Sequence, residues 1–311
     1  MPRRVGSPAI RSTKTTAAGA PKPKSIPKPR GFERGGRKPR VALDARPAKP
    51  ATNPQRNVFD VVPRAPQTVF DALTRLDAIP GVDVKTLGDI DGIPVQVVRL
   101  NGAPPPPGTE PKRVLITGGV HGSEPAGTMS AVELLELVAK SPDLFPGFEF
   151  TVVPLVNPEG FRDGTRHNEN DDTDLNREAA HDDHVPKEMQ LLMPVLDEGP
   201  WTLALDLHAS GSTTAAGKNG FFAIRTAGND ELLHGVMSEF KASYDVLDET
   251  TARYTMVEPG VMESKNMGTV KGYLFERGTE ASFTLEAPAR ASMKVQVEGL
   301  VDLVRGFLSR V

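Results

Sequence analysis

Apolar positions in this chain fall into short blocks punctuated by glycine and proline, and the spacing within each block predicts its element. Val69, Leu73 and Leu76 repeat at helical intervals up to the break at Pro80-Gly81. Val84 to Leu87 and Val95 to Leu100 read as strands around the turn signal Asp91-Gly92. After the linker Ala103 to Gly108, the apolar run Val114 to Ile116 predicts a buried strand, and Ala126 to Lys140 a helix with an Ala/Met/Leu face. Further along come a strand over Phe148 to Val156, a helix over Pro186 to Leu196, and the strand Trp201 to His208. Phe221 to Ile224 follows as a strand, then a helix from Asp230 to about Tyr244, then a last strand around Glu286. Val297, Leu300, Val301, Val304 and Leu308 mark an amphipathic closing helix. Strands alternating with helices predict an α/β fold, a three-layer sandwich around a mostly parallel, twisted mixed sheet. No internal repeat is visible.

Three of these strands deliver chemistry at their ends. The strand ending at Gly118-Gly119 leads to His121 and Glu124, spaced His-x-x-Glu on the loop beyond it. Another delivers His208, and Ser282-Phe-Thr-Leu-Glu286 delivers a glutamate. In an open α/β sheet, ligands bind beyond the carboxyl ends of strands, which is where all of these fall. Two histidines and a glutamate suffice for a catalytic zinc with one open position, and the second glutamate can move a proton to and from water. The plainer alternative is a set of unrelated polar residues at strand ends. His181-Asp-Asp-His184 could be a second metal cluster, but no strand organises it, and a solvated surface suits it better. His167 and His234 read as surface or boundary residues and Trp201 as core.

These residues belong to five motifs that stand in one order: His121 to Glu124, Asn157-Pro158-Glu159-Gly160, Asp174-Leu175-Asn176-Arg177, His208 and Glu286. In that order the chain resembles the zinc carboxypeptidase family over about residues 66 to 311, including the Val84 to Val98 hairpin upstream. The resemblance implies one zinc ion (Zn2+) per chain, held by His121, Glu124 and His208. Glu286 would act as the general acid/base on the zinc-bound water, its apolar neighbours Phe283, Leu285 and Pro288 helping to keep its pKa near working pH. Arg166, ten residues before Asn176, would stabilise the oxyanion, with Arg162 or a plain surface charge as alternatives. Asn176 and Arg177 would bind a terminal carboxylate, and Asp174 would hydrogen-bond His121. Asp171-Asp172-Thr173 departs from the family pattern and shifts this register by up to a residue. The family's substrate-capping tyrosine has no clear counterpart: Tyr254 and Tyr273 flank the segment where it would fall.

The implied activity is removal of a terminal residue from a small peptide, as in metallocarboxypeptidases and murein-peptide amidases. Aspartoacylase and succinylglutamate desuccinylase relatives, which deacylate N-acyl amino acids, are similar around His121 to Pro125. They carry a further β domain after the catalytic glutamate, whereas 25 residues follow Glu286, enough for one helix. A catalytically idle binding module is the alternative from outside the enzymes, but every ligand type and Glu286 are present.

Composition changes the picture in two ways. There is no cysteine, so disulfides and thiolate metal sites are excluded. Residues 1–57 hold 15 Lys and Arg, ten Pro and only two acids, Glu33 and Asp44, a net charge of +13, and the remainder carries −16. Such a segment is expected to be a disordered, Pro-rich basic tail ahead of a catalytic domain over 58–311. It is either a solvated spacer or a docking arm for a polyanion or an acidic protein partner. An amphipathic presequence fits less well, because proline spoils the helix. No apolar run reaches membrane-spanning length and no hydrophobic leader opens the chain, so the expected default location is the cytoplasm, with export by another route left open.

Overall fold

In the computed structural model the described residues are 64–170, 172–179, 185–226, 230–264, 266–279 and 281–311. The basic segment over 1–57 and the cluster His181 to His184 lie outside them.

The strands that read as continuous apolar runs are buried on both faces, and they form the centre of the sheet. These are β3 (Lys112–Gly118), β4 (Phe148–Val153), β5 (Leu203–Ser210) and β9 (Ser282–Pro288). They pair in parallel, in the order β4-β3-β5-β9. Parallel strands need cover on both faces, which is why their sequences do not alternate. Alternation belongs to the edges, where pairing becomes antiparallel. The hairpin β1 (Val82–Ile90) and β2 (Ile93–Asn101) joins β4 on one side. On the other side β6 (Phe222–Arg225) pairs antiparallel with β9 and carries β8 (Val261–Glu263) and β7 (Thr255–Glu258), completing nine strands. Asp91 and Gly92 both take positive φ, 47° and 80°, as a two-residue hairpin turn of this twist requires.

Helices cover each face and make the sandwich three-layered. On one face α1 (Pro66–Asp77), α2 (Pro125–Lys140), α5 (Asp230–Phe240) and α7 (Met293–Leu308) close a core with Val114, Ile116, Leu203, Leu205, Leu207, Phe283 and Leu285. On the other, α4 (Lys187–Leu196) and α6 (Val270–Glu276) bury Leu115 and Ala204. Because side chains alternate along a strand, the odd-numbered residues of β5 and β9 point into the first core. Asp206, His208, Thr284 and Glu286 therefore share the opposite face, the one that α6 covers.

Several boundaries differ from the sequence expectation. β4 stops at Val153, because Pro154 has no N–H for the ladder; Val156 and Asn157 instead donate to the carbonyls of Gly118 and Gly119, at 3.1 and 2.8 Å. α5 ends at Phe240, four residues short of Tyr244. The short helix α3 (Pro158–Asp163), α6, β7 and β8 were not anticipated. Each has at most seven residues, too few to show a period.

Candidate functional site

The loop after β3 is held in place by close backbone packing. A Cβ on Gly122 would fall 1.9 Å from the carbonyl carbon of Gly160 in α3, and one on Gly127 would meet the Leu207 carbonyl at 2.1 Å. Only glycine permits these approaches, which seat His121 against α3 and the first turn of α2 against the end of β5. Arg64, just ahead of α1, reaches back to the same loop and donates to the carbonyls of Gly122 (3.2 Å) and Ser123 (3.5 Å).

This packing brings His121, Glu124 and His208 together, with one ligand atom from each lying within 4.8 Å of the others. The two imidazoles tilt toward each other with ring centroids 4.6 Å apart. Each has its far nitrogen occupied by a carboxylate: His121 Nε2 lies 2.9 Å from Asp174 Oδ1, and His208 Nε2 lies 2.7 Å from Asp206 Oδ2. Both Nδ1 atoms then face Glu124, at 3.1 Å for His121 and 2.7 Å for His208. His121 Nδ1 is buried and makes no hydrogen bond. A buried nitrogen without a partner, a second imidazole with its other nitrogen fixed, and a shared carboxylate fit a divalent metal, the carboxylates fixing each tautomer.

Burial opposes ionisation of Glu124, but the charges and hydrogen bonds of His121 and His208 outweigh it and hold the carboxyl well below the usual range. Burial likewise opposes protonation of His208, yet Asp206 and Glu124 raise its pKa well above that of a free histidine. Glu286 behaves in the opposite sense. It sits opposite His208 on the neighbouring strand, 6% exposed, and its Oε2 is buried without a partner. Burial, with the charge of Glu124 next, raises its pKa. One carboxyl of the pair is thus held ionised as a ligand would be, and the other is poised to carry a proton.

Arg166 donates to Glu124 Oε1 at 2.8 Å and to Asp174 Oδ2 at 3.2 Å. Arg162 points elsewhere, to Asp163, so Arg166 is the arginine at the site. Asn176 is nearly buried and committed on both ends: its Nδ2 donates to Asp206 Oδ2 at 3.1 Å and its Oδ1 accepts from the Val270 N–H at 2.9 Å. Arg177 is freer. It donates to the Asn176 carbonyl at 2.6 Å and joins no ion pair among the described residues.

Asp206 is a residue that sequence reasoning missed. It is 1% exposed and accepts from Thr117 Oγ1 at 2.7 Å as well as from His208 and Asn176. The signal was present, since residues two apart on a strand share a face. Of the two tyrosines flanking the expected capping segment, Tyr254 is the one that feels the charges of the site. Burial and the charges of Glu286 and Glu124 push its hydroxyl pKa up, partly offset by Arg166 and Arg177, which sets it among the site residues. Tyr273 is not there: its hydroxyl donates to Asp197 Oδ1 at 2.7 Å. His167 pairs with Asp172 and His234 with Glu258, both away from this centre.

Residues 110–218 match the family model of the succinylglutamate desuccinylase/aspartoacylase catalytic domain. No curated protein matches the chain. Among solved structures, a proposed metallopeptidase of Shewanella denitrificans OS217 superposes with a TM-score of 0.64 at 19% identity, covering 83% of this chain and 97% of that one. A metallo-carboxypeptidase of Burkholderia cenocepacia gives 0.61 at 16% identity, covering 76% and 66%. One from Pseudomonas aeruginosa, in complex with (2-guanidinoethylmercapto)succinic acid, gives 0.60 at 17%, covering 78% and 68%. In fold the chain is carboxypeptidase-like. Among the described residues no helix is long and apolar enough to cross a membrane.

Proposed function

We propose that this protein is a zinc-dependent amide hydrolase that removes a terminal residue from a small peptide, of the metallocarboxypeptidase or murein-peptide amidase type. The observation that carries the reading is the convergence of two imidazole Nδ1 atoms and Glu124 beside Glu286, with each far nitrogen fixed by an aspartate. His121, Glu124 and His208 would hold the ion. When bound, zinc supplies Lewis acidity, lowering the pKa of water and polarising the scissile carbonyl. Glu286 accepts the proton from the attacking water and delivers it to the leaving amine, a role that its raised pKa suits. Arg166 offers its guanidinium to the developing oxyanion. Arg177, with the remaining N–H of Asn176, binds the free carboxylate of the residue released. Tyr254, whose hydroxyl feels the charges of Glu286 and Glu124, would cover the bound substrate.

A second reading, deacylation of N-acyl amino acids, is favoured by the family match over 110–218, which includes His121, Glu124 and His208. A polyanion or acidic partner for residues 1–57 rests on their charge alone. The test of the main reading is metal content after purification, together with amine release from short peptides, murein tripeptide and N-acyl amino acids side by side. Peptides should be cleaved with one equivalent of zinc bound, and amidating the terminal carboxylate should cost most of the activity. Turnover confined to N-acyl amino acids would shift the assignment to the deacylase, and equal cleavage of amidated peptides would exclude an exopeptidase.

A further inference from the structure

Glu159 belongs to the Asn157-Pro158-Glu159-Gly160 motif, and nothing in the chemistry above uses its carboxylate. It lies in α3, next to the Gly160 that seats the His121 loop, and it meets Asp91 at the tip of the β1–β2 hairpin. It is 4% exposed, and its Oε2 is buried without a hydrogen-bond partner. The cation beside it, Arg162, stays 3.7 Å from Oε1, beyond hydrogen-bonding distance. That guanidinium is turned to Asp163 instead, through three bonds of 2.9, 3.0 and 2.6 Å.

What reaches Glu159 is another acid. The Asp91 carboxyl comes within hydrogen-bonding reach of it, and Glu169 adds a further negative charge. Asp163 and Glu169 make a second contact of the same kind, and Thr165 Oγ1 donates to Glu169 Oε1 at 3.4 Å. Asp89 is occupied elsewhere: its Oδ1 accepts from the Gly92 N–H at 3.1 Å and lies 3.9 Å from Lys187 Nζ. Asp91, Glu159, Asp163 and Glu169 thus share the single guanidinium of Arg162 among the described residues. Ionised carboxylates only accept hydrogen bonds, so two in contact need a proton or a cation between them. Burial makes an uncompensated charge on Glu159 costly. Burial first, and then the charge of Asp91, raise its pKa, and Arg162 only partly offsets them.

We propose that Asp91 and Glu159 form a second cation site, separate from the two-histidine centre, that takes a hard divalent ion, Ca2+ or Mg2+. The donors are carboxylate oxygens, which suit these ions better than zinc. Asp91 is exposed at its turn, so water can complete the shell, as such ions require. Two separate elements supply the ligands, so the looser coordination of Ca2+ should be favoured over the strict octahedron of Mg2+. An ion here ties the hairpin tip to α3, and through Gly160 to the loop that carries His121. It would bind whether or not the two-histidine centre hydrolyses amides. The competing occupant is a proton held between the two carboxyls.

The test titrates the full-length protein with CaCl2 and with MgCl2 at about pH 8 and constant ionic strength, followed by calorimetry and thermal denaturation. With two protein carboxylates, the Kd for Ca2+ should be about 10⁻⁴ M. At roughly 100 times that concentration, Tm should then rise by about 5 to 10 °C. Glu159→Gln and Asp91→Asn should each erase both the rise and the binding heat, because an amide N–H can bridge to the carboxylate that remains. Without added ions these variants should melt at or above wild type, whereas loss of a plain structural carboxylate would lower Tm. Zinc content should be the same in all three proteins. Asparagine tolerates the positive φ of residue 91, so Asp91→Asn decides if Glu159→Gln fails to fold. Binding of Mg2+ alone, lost in both variants, would leave the site standing with Mg2+ as its ion. Equal stabilisation of wild type and variants by CaCl2 would overturn the proposal. So would binding of neither ion, and a shared proton would then be the occupant.

Discussion

The two histidines of the site are built in different ways. His208 and its aspartate lie two residues apart on one central strand, both 1% exposed, with Thr117 and Asn176 closing around the carboxylate. His121 stands on a loop, and its aspartate comes from another loop 53 residues away, with 22% of the Asp174 side chain exposed and Arg166 sharing it. One arm is a product of sheet register; the other depends on two loops meeting. Equal-looking ligands can therefore differ in how much of the fold must be correct before they are in place. The strand-borne arm should be the rigid one and the loop-borne arm the one that tolerates adjustment.

The harshest way to break this comparison is to delete each arm. His121→Ala and His208→Ala should each abolish stoichiometric zinc and activity while leaving a folded domain, read by metal analysis and circular dichroism. Retention of wild-type zinc affinity by either variant would sink the site assignment. Glu286→Gln comes next. It should keep zinc and substrate binding but lose at least about 10²-fold in kcat, the low end for a general acid/base, and near-normal turnover would remove that role.

The comparison itself is sharpened by the two aspartates. Changing a carboxylate that orients a metal-binding histidine typically costs about 10- to 100-fold in affinity. Asp206→Asn should fall at the upper end and also lower thermal stability, because it strips charge from a buried, triply hydrogen-bonded group. Asp174→Asn should fall at the lower end, with little change in melting. Chelator competition and thermal denaturation measure both, and indistinguishable variants would show that the arms are equivalent after all. The smallest expected effect is that of removing residues 1–56. A chain starting near Asn57 should fold, hold zinc and keep its kcat/KM on a small neutral substrate, whereas any polyanion affinity of the full chain should vanish and should weaken steeply with salt.

The difference between the arms also marks what could be read without coordinates. His121, Glu124, His208 and Glu286 were legible because each closes an apolar run or follows one directly, and a long run announces a central strand. Asp206 was hidden inside such a run, where its apolar neighbours made it look like an interruption. Tyr254 could not be assigned, because it leads into β7, and β7 and β8 have four and three residues whose places depend on pairing with distant strands. The parallel centre was legible as alternating strands and helices. The antiparallel edge beyond β9 was not, since Phe222 to Arg225 is compatible with either direction. Asn176 shows a further limit: its motif suggested a substrate contact, and only the packing reveals that its amide is also a strut between β5 and α6.

The guanidinium of Arg64 places the working edge of the catalytic unit ahead of its first helix. By secondary structure the described unit begins at Pro66, and a chain trimmed there would retain every described strand and helix and the proposed metal ligands. It would nonetheless lose Arg64, the side chain that, among the described residues ahead of α1, clasps the carbonyls of Gly122 and Ser123, between His121 and Glu124. Two residues separate a cut that spares the ligand loop from one that unfastens it.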